Sequence, residues 1–401
     1  MEGLFVLIAI FNYTFGVIIS YLFKGNQSLI LRVIAVGALI FSIAEYQSSL
    51  KIGLNKIKGK FSRILVFSMF IYVWMFVTYL SHGTLPDIMK TYLLSYPTKI
   101  ISTVFLSFAV IRKNLISKIN KWINIYAIFY TVVLFYCVQS NETGFSRSLD
   151  IDRQTLSYAG AYACLMLLYV NMNFNNIDKP HFLSAKIVIP INYALMLMNI
   201  YIILAGGGRG AFILIIFGAA YFIFKNTSSF DFKHLATMIS LVVVAIIAIN
   251  YFATSKQSAS GFSSIQALFT EGFTDQSSQD RVELYTIAWY YIKQALFLGN
   301  GAGSTAYTVG FYTHNIFMDV LLEYGIWGLI ILLIFLLQFF SKCKKLRRID
   351  VSNPQMDFCV TVFISSFVLL LFSGTMYSEG AIWFAMLSVY FINEDCYKTN
   401  I

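Results

Sequence analysis

The stretch Thr313–Phe340, THNIFMDVLLEYGIWGLIILLIFLLQFF, decides the fold class. Its His-Asn pair is followed by an apolar run of the length, roughly 20 residues, that a helix needs to cross a bilayer. Asp319 and Glu323 interrupt this run four residues apart, so they share one face of the helix. Ionisable residues inside membrane spans are costly and usually have a structural or chemical role. The stretch therefore predicts a membrane-spanning helix over residues 315–340 with a polar site at its start.

Composition extends this prediction to the whole chain. Hydrophobic residues make up 58% of the sequence and charged residues 12%, and the mean hydropathy is +0.71, which excludes an ordinary soluble domain. We predict an all-α, polytopic integral membrane protein that forms a single transmembrane domain over residues 1–401. Apolar runs of sufficient length predict about twelve transmembrane helices. They lie at residues 3–23, 29–45, 64–80, 92–111, 122–139, 155–172, 187–205, 211–224, 235–253, 315–340, 358–376 and 380–393.

The basic residues predict the orientation of the chain. The segments KIGLNKIKGKFSR, RKNLISKINK and SKCKKLRRID fall on the same side of the predicted spans, as short cytoplasmic loops do. This places both termini in the cytoplasm. It also explains the net charge of +10 by topology, so no nucleic-acid partner is predicted. The five cysteines are scattered along the chain, and we predict neither a disulfide nor a metal site.

One loop is too long to be a simple connection. Residues 254–313 lie between the ninth and tenth predicted spans, and such long loops are usually functional. Within it, DRVELYTIAWYYIKQALF (residues 280–297) predicts a helix in the membrane interface, rich in Tyr and Trp. The following LGNGAGS contains Gly299, Gly301 and Gly303. No strand precedes these glycines, so a turn that returns the chain to the tenth span is the simpler interpretation than a nucleotide-phosphate loop.

Arginines at predicted helix starts on the outer side are exceptions to the charge pattern. Arg209 lies in the glycine-rich segment LAGGGRGAFIL, Arg281 begins the loop helix, and Arg147 and Arg153 precede the sixth span. Helix N-termini favour anions, so these residues are candidate anion ligands. Alternatively, each extends to the interface or pairs with a nearby acid. The candidate acids are Asp150, Asp152, Asp280 and Glu283.

Three motifs in this order resemble the shared core of O-antigen polymerases and O-antigen ligases. They are GGGRGAF, then RVELYTIAWYYIKQALFLGNGAGS, then THNIFMDVLLEYGIWGLI, and the resemblance covers Ala205 to about Leu333. It implies a glycosyltransferase that uses undecaprenyl-diphosphate-linked glycans without a nucleotide sugar, metal or other cofactor. The implied location is the bacterial inner membrane, with the active site on the periplasmic side.

The resemblance also implies roles for individual residues. Arg209 and Arg281 would bind the diphosphate, and His314 would be the catalytic residue. Arg153 is an additional candidate substrate ligand. Asn315 is a candidate to orient substrate or to cap the helix, since Asn is a favoured N-cap. At Gly208 the sequence departs from the Ser or Thr usual in the family, so no hydroxyl contact is expected from that position.

The chemistry of these residue types agrees with the implied reaction. The planar guanidinium of Arg binds phosphate oxygens through two hydrogen bonds and remains charged, so it can stabilise a leaving diphosphate. His titrates near neutral pH and can accept the proton of an incoming sugar hydroxyl. A loop carboxylate, Asp280 or Glu283, is the alternative base. Carboxylates are weaker bases near neutral pH.

The sequence favours a structural role for Glu323 over a chemical one. If the helix is continuous, Glu323 lies about 13 Å along the axis from His314 and points away from it. We therefore expect Glu323 to form hydrogen bonds inside the helix bundle. Gly325 and Gly328 would allow close helix contact there.

Three functions remain open at this point. We favour an O-antigen polymerase that joins undecaprenyl-diphosphate-linked oligosaccharides, with membrane lipid and a chain-length regulator protein as further partners. An O-antigen ligase that transfers the glycan to lipid A core is the first alternative. A transporter of lipid-linked glycan is the second. It predicts basic residues along the membrane interior, whereas the notable arginines gather on one face.

Overall fold

The computed structural model describes residues 2–12, 15–16, 19, 27–50, 55–139, 153–177, 184–225, 276–350 and 353–392. All regular secondary structure in these residues is helical, as the sequence predicts. The helices are α1 (Glu2–Ile10), α2 (Gln27–Leu50), α3 (Asn55–His82), α4 (Asp87–Ser95), a π-helix (Tyr96–Ile101), α5 (Ser102–Arg112), α6 (Leu115–Gln139), α7 (Arg153–Met172), α8 (Ala185–Gly206), α9 (Arg209–Lys225), α10 (Gln276–Gln294), α11 (Thr305–Thr308), α12 (Ile316–Ile349), α13 (Pro354–Phe372) and α14 (Gly380–Phe391).

Eight segments in the described residues are long and apolar enough to cross a membrane. This confirms a polytopic membrane protein, while the count of twelve stays a prediction. The ninth predicted span, residues 235–253, lies outside the described residues. The eight segments are Leu29–Leu50, Gly59–His82, Asp87–Arg112, Leu115–Gln139, Gln154–Met172, Ala185–Gly206, Ile316–Ile349 and Pro354–Phe372.

The chain forms two compact units, each assembled from separate stretches of sequence. Unit 1 comprises Met1–Ile34, Ile116–Gly272 and Val351–Leu369. Unit 2 comprises Ala35–Leu115, Phe273–Asp350 and Leu370–Ile401. Neither unit is continuous along the chain. The single-domain organisation stays a prediction.

In unit 1, α7 packs against α8 and α9. Small residues allow this close approach: a Cβ at Gly218 would lie 2.2 Å from the Leu165 side chain. Buried amides then link neighbouring helices, because Asn199 donates to Thr131 Oγ1 at 2.7 Å. Packing of small residues with polar cross-links is the usual way in which membrane helices associate.

Unit 1 also contains a fully buried ion pair. Lys225, at the end of α9, donates to Asp357 near the start of α13. Tyr221 donates to the second carboxylate oxygen of Asp357 at 2.8 Å, and Asn173 accepts from Lys225 at 3.2 Å. A buried charge pair is tolerated when further hydrogen bonds satisfy both partners, and this pair meets that condition.

In unit 2, α14 packs against α5 and α12, and α10 packs against α12. Asp87–Arg112 forms one span in which the π-helix separates α4 from α5, with Pro97 in its first turn. Proline lacks the amide donor that a continuous α-helix needs, so it favours such an irregularity. The π-helix carries Tyr96, whose ring lies 6.1 Å from that of Tyr377.

The long helix of the opening stretch is not continuous over its whole length. Gly325 has φ 64° and ψ −161°, which interrupts α12 between Tyr324 and Ile326. An L-residue rarely adopts this backbone conformation, whereas glycine does so without a side-chain clash. Glu323 precedes the break, so α12 is continuous from Ile316 to Glu323, and only His314 and Asn315 lie outside the helix assumed between His314 and Glu323.

Candidate active site

The candidate site in unit 2 begins at the capped start of α12. Asn315 is the N-cap, and its side-chain oxygen accepts from the amides of Phe317 at 3.0 Å and Met318 at 3.3 Å. These bonds satisfy two of the amides that a helix start leaves unpaired. The carboxamide oxygen of Asn315 is thus used in capping, which is one of the two roles expected for it.

The residue before His314 is fixed by a buried carboxylate. Asp319 Oδ1 accepts from the amide of Thr313 at 2.8 Å and from its hydroxyl at 2.7 Å. Both Thr313 and Asp319 are buried. His314 itself has φ 59°, an uncommon conformation that persists only where the surroundings enforce it. Asp319 and the Asn315 cap hold the chain on either side of it.

His314 lies beside Arg281 of α10. Arg281 donates to the carbonyl of Phe372 at 3.3 Å, and the same carbonyl interacts with His314. Burial and the positive charge of Arg281 lower the pKa of His314 from 6.5 to about 4, although the Phe372 carbonyl opposes this shift. The imidazole is therefore neutral at physiological pH, and the expectation that His314 titrates near neutral pH is wrong for the free protein.

One nitrogen of this imidazole is not used in a hydrogen bond within the described residues. Within the described residues, His314 Nδ1 is buried and has no hydrogen-bond partner. The rings of Tyr312 and Phe311 lie 4.6 and 5.7 Å from the imidazole. A neutral imidazole next to a guanidinium combines a proton acceptor with an anion ligand. This pairing is what a transfer from a diphosphate requires.

The glycine turn after α10 inserts into the break of α12. The amides of Asn300 and Gly301 donate to the carbonyls of Leu322 and Glu323, each at 2.9 Å, and Ile326 donates to the carbonyl of Leu296 at 2.8 Å. These are the backbone groups that the break at Gly325 releases from the helix. The turn therefore serves as a structural connection to the tenth predicted span, as the simpler interpretation of its glycines expected.

Close backbone approach explains the glycines at this junction. A Cβ at Gly299 would lie 2.3 Å from the Glu323 carbonyl, and a Cβ at Gly325 would lie 2.4 Å from the Phe297 oxygen. Gly299, Gly301 and Gly303 all have positive φ. Backbone packs directly on backbone, so any larger residue would separate the two segments.

Glu323 links three segments of unit 2. It accepts from Thr305 Oγ1 at 2.7 Å and from the Tyr377 hydroxyl. The Tyr377 oxygen in turn accepts from the amide of Gly303 at 3.0 Å and contacts the Tyr324 hydroxyl at 2.7 Å. Burial and the nearby Glu323 carboxylate raise the pKa of Tyr377 well above its usual value, so this hydroxyl stays protonated and donates.

Arg209 lies in unit 1, where it is the first residue of α9. The preceding turn has Gly207 at φ 70°. The amide of Gly208 donates to Ser157 Oγ at 3.1 Å, and a Cβ at Gly208 would lie 2.4 Å from the Ser157 Cβ. Ser157 of α7 thus places a hydroxyl next to Gly208, the position at which the family usually has Ser or Thr. Its side chain also leaves no room for a larger residue at Gly208.

The remaining candidate residues contribute less to this geometry. Arg153 begins α7, and its side chain lies outside the described residues, as does Arg147. Asp280 and Glu283 are exposed on α10. No role for these residues is tested by the structure.

The segment that contains most of the candidate site residues is similar to a known family. Residues 194–333 match the family model described as O-antigen ligase. This segment is similar to the O-antigen ligase family. The matched segment includes Arg209, Arg281, His314 and Glu323, and it supports the O-antigen polymerase and ligase family that the motifs predicted. A comparison with curated proteins found no match.

The O-antigen ligase family domain and the apolar helices together support a multi-pass inner membrane protein with a polymerase- or ligase-type role in O-antigen or lipopolysaccharide assembly. The match covers about a third of the chain. It supports a lipid-linked glycan as the substrate class of a glycosyltransferase-like enzyme.

Sequence reasoning missed the residues that hold the candidate site in place. Thr305, Tyr377 and the Phe372 carbonyl come from segments without a recognised motif, and Thr313 lies in the third motif but was given no role there. One signal was present: SGTMYSEG, residues 373–380, is a polar interruption between two apolar runs. Polar groups at such a position need partners inside the protein.

Proposed function

We propose that this chain is an O-antigen polymerase that joins undecaprenyl-diphosphate-linked oligosaccharides on the periplasmic face of the inner membrane. The observation that supports glycosyl transfer is the neutral imidazole of His314, with an unpartnered Nδ1, beside Arg281. The first residue accepts a proton and the second binds an anion. The family match is consistent with both roles.

The proposed reaction balances without a metal or a further cofactor. His314 accepts the proton of the acceptor sugar hydroxyl while the hydroxyl oxygen forms a bond to the anomeric carbon of the donor sugar. The bond from that carbon to the diphosphate oxygen breaks, and undecaprenyl diphosphate leaves with the electron pair. Arg281 stabilises the charge on the leaving diphosphate. Arg209 is proposed as a second diphosphate ligand on the family resemblance, with Arg153 as an additional substrate ligand.

Donor binding would also adjust the base. A bound diphosphate offsets the positive charge of Arg281, which lowers the pKa of His314 in the free protein. We therefore expect the pKa of His314 to rise when the donor is bound. The imidazole becomes a stronger base only in the complex that needs it.

A deletion strain tests the polymerase assignment. Without this protein, lipid A core should carry a single repeat unit in place of a ladder of chain lengths, as read by gel electrophoresis of lipopolysaccharide. A complemented strain serves as the control. A full ladder in the deletion strain would contradict the proposal.

Ligase is the second candidate, because the matching family model is described as O-antigen ligase. A ligase predicts a different outcome from the same deletion. Lipid A core would carry no O-antigen, while long polymer would accumulate on undecaprenyl diphosphate.

The arginine assignment is tested by conservative replacement. Arg281→Ala should abolish polymer, and Arg281→Lys should restore little of it, because a point charge does not reproduce two parallel hydrogen bonds. Arg209→Ala and Arg209→Lys are expected to behave in the same way. Donor binding to the purified variants is measured alongside polymer length. Full activity with Lys at both positions would contradict a bidentate role.

A further inference from the structure

An apolar cavity in unit 2 extends from Tyr324 and Tyr377 toward the C-terminal half of α12, and neither Arg281 nor His314 lines it. Its volume is about 460 Å³, within the about 300–1,000 Å³ of typical ligand sites. It is lined by residues of α3, α12 and α14 together with the π-helix. Exposed side chains such as Trp327 (57%) and Phe70 (57%) form part of its wall, so it opens to the surroundings of the described chain.

The two long helices that line the cavity run antiparallel. The ring of Trp74 lies 5.3 Å from that of Tyr324, and the ring of Phe67 lies 6.4 Å from that of Phe335. These pairs follow opposite orders along α3 and α12. The first turns of α3 therefore lie beside the C-terminal half of α12.

This arrangement places three cations at one end of the cavity. Lys60, Arg63 and Lys342 line it, and Lys60 lies 5.1 Å from the ring centre of Tyr390. Among the described residues that line the cavity, none is acidic. The other end is formed by Trp74 and aromatic residues around Tyr324 and Tyr377. The cavity is thus cationic at one end and apolar along its length.

The dimensions fit one lipid chain. Arg63 and Trp74 are separated by about 16 Å of helical rise, close to the roughly 15 Å thickness of one leaflet's hydrocarbon. Lys and Arg side chains at the end of an apolar groove can reach the phosphates of a membrane surface. Lys342 lies beyond the break at Gly325, and the helical rise from Ile326 to Lys342 is about 24 Å, directed away from the start of α12 at Asn315.

We propose that this cavity binds an anionic phospholipid, with an acyl chain between α3 and α12 and its phosphate at Lys60, Arg63 and Lys342. The charge at one end selects the anionic headgroup over a neutral one. The apolar walls hold the chain without further polar contacts. Its phosphate end, at Lys60, Arg63 and Lys342, contains neither Arg281 nor His314, which we assign to the donor glycan.

Tryptophan fluorescence offers a direct test, because three of the five tryptophans, Trp74, Trp327 and Trp383, line the cavity. The full chain is placed in nanodiscs of phosphatidylcholine, and a lipid with brominated acyl chains is added as a quencher. Brominated phosphatidylglycerol should reach half-maximal quenching at a mole fraction about fivefold or more below that of brominated phosphatidylcholine. Equal quenching by the two lipids would overturn the proposal.

Variants decide whether the three cations cause the preference. Replacing Lys60, Arg63 and Lys342 together by Gln should abolish it. The matched control is Lys344→Gln with Lys345→Gln and Arg348→Gln, which removes the same charge from the end of α12 outside the cavity. The control should retain the preference, as should Lys60→Arg with Lys342→Arg. If the control lost the preference for phosphatidylglycerol to the same extent, general surface charge would be its cause, and the proposed site would be overturned.

A competition experiment tests the class of lipid. Unlabelled phosphatidylglycerol should relieve the quenching by its brominated form at equal mole fractions. Displacement by undecaprenyl phosphate at a much lower mole fraction than by phosphatidylglycerol would overturn the phospholipid assignment.

Discussion

At the scale of single residues, the two acids inside the opening stretch have different partners. Asp319 holds Thr313, directly before His314, whereas Glu323 holds Thr305 and Tyr377. Sequence spacing placed both acids on one helical face, but spacing does not identify their partners. The structure thus separates a residue that positions the candidate base from one that joins segments.

The first residue-scale prediction concerns the base. His314→Ala and His314→Asn should still bind donor and lose about 10²- to 10⁴-fold in turnover, the range for removal of a general base. Turnover and binding are measured with purified protein and synthetic lipid-linked repeat units. Asp280→Asn is the matched control and should stay near normal. Near-normal turnover of His314→Asn would instead leave a structural role for this residue.

The second prediction concerns pH. Because the pKa of His314 is lowered to about 4, the neutral base is present above that pH and is lost as the pH falls through it. Arg281→Gln removes a charge that lowers this pKa, so protonation should occur at higher pH in the variant. Diethyl pyrocarbonate modifies neutral imidazole, and its reaction at the His314 peptide is followed by mass spectrometry from pH 3 to about 8.

Modification of the His82 peptide is the internal reference for the activity of diethyl pyrocarbonate at each pH. An unchanged His314 profile in Arg281→Gln would show that the guanidinium does not influence the imidazole.

The third prediction concerns Asp319 as a positioning residue. Asp319→Asn keeps an oxygen that can accept from Thr313, so most turnover should remain. Asp319→Leu leaves the buried amide and hydroxyl of Thr313 without their acceptor, at a cost of about 1–3 kcal/mol. We expect it to lower kcat while KM for the donor changes little. Equal kcat for the two variants in folded protein would exclude positioning through this hydrogen bond.

At the scale of elements, the interrupted helix α12 and the glycine turn form one structural feature. The break at Gly325 releases backbone groups, and the turn after α10 binds them. The sequence predicted both the helix and the turn. It did not predict that the turn forms hydrogen bonds with the backbone groups at the break, because the glycines of the two motifs are separated along the chain and meet only in the folded unit.

The fourth prediction tests this junction. Gly325→Ala combines a left-handed φ with a Cβ 2.4 Å from the Phe297 oxygen, so it should lower the thermal midpoint strongly. Gly310 is the matched control, because it also has positive φ (73°) but would place its Cβ in open space. Gly310→Ala should cost only the backbone term of about 1–2 kcal/mol. Melting of the detergent-purified proteins is compared by size-exclusion chromatography after heating. Similar midpoints would mean that the junction adjusts to a side chain.

At the scale of the whole molecule, each unit joins stretches that are distant in sequence, so polar links between them should matter for stability. The buried pair Lys225–Asp357 in unit 1 connects the end of α9 with the start of α13. Its partners Tyr221 and Asn173 come from the same unit. Removing one member would leave an unpaired buried charge.

The fifth prediction follows from that pair. Asp357→Leu should destabilise the protein by about 3–5 kcal/mol, because it leaves Lys225 buried without its counter-ion. Adding Lys225→Met should recover much of the loss, since the pair is then replaced by apolar groups. The control is Lys118→Met, which removes one member of the Lys118–Glu2 ion pair. That pair is partly exposed, and exposed pairs contribute about 0–1 kcal/mol. If the double variant is no more stable than Asp357→Leu, loss of the counter-ion is not the cause.

The sequence by itself predicted the membrane-protein class, which the structure confirms, and the family resemblance that the match over residues 194–333 supports. Hydrophobic runs are local, and the motifs lie within short stretches, so both can be read without a fold. The start of α9 at Arg209 was as expected, whereas α10 begins at Gln276, so the expectation that Arg281 begins this helix was wrong: Arg281 lies in its second turn. Arg153 and Arg147 remain predictions from the sequence.

Only the tertiary structure decided which of these residues act together in unit 2. The pKa of His314 depends on its burial and on Arg281, which lies on another helix. The partners of Glu323, Thr305 and Tyr377, come from segments on both sides of it in the chain. Through-space contacts of this kind depend on the packing of distant segments, which the order of residues along one helix does not specify.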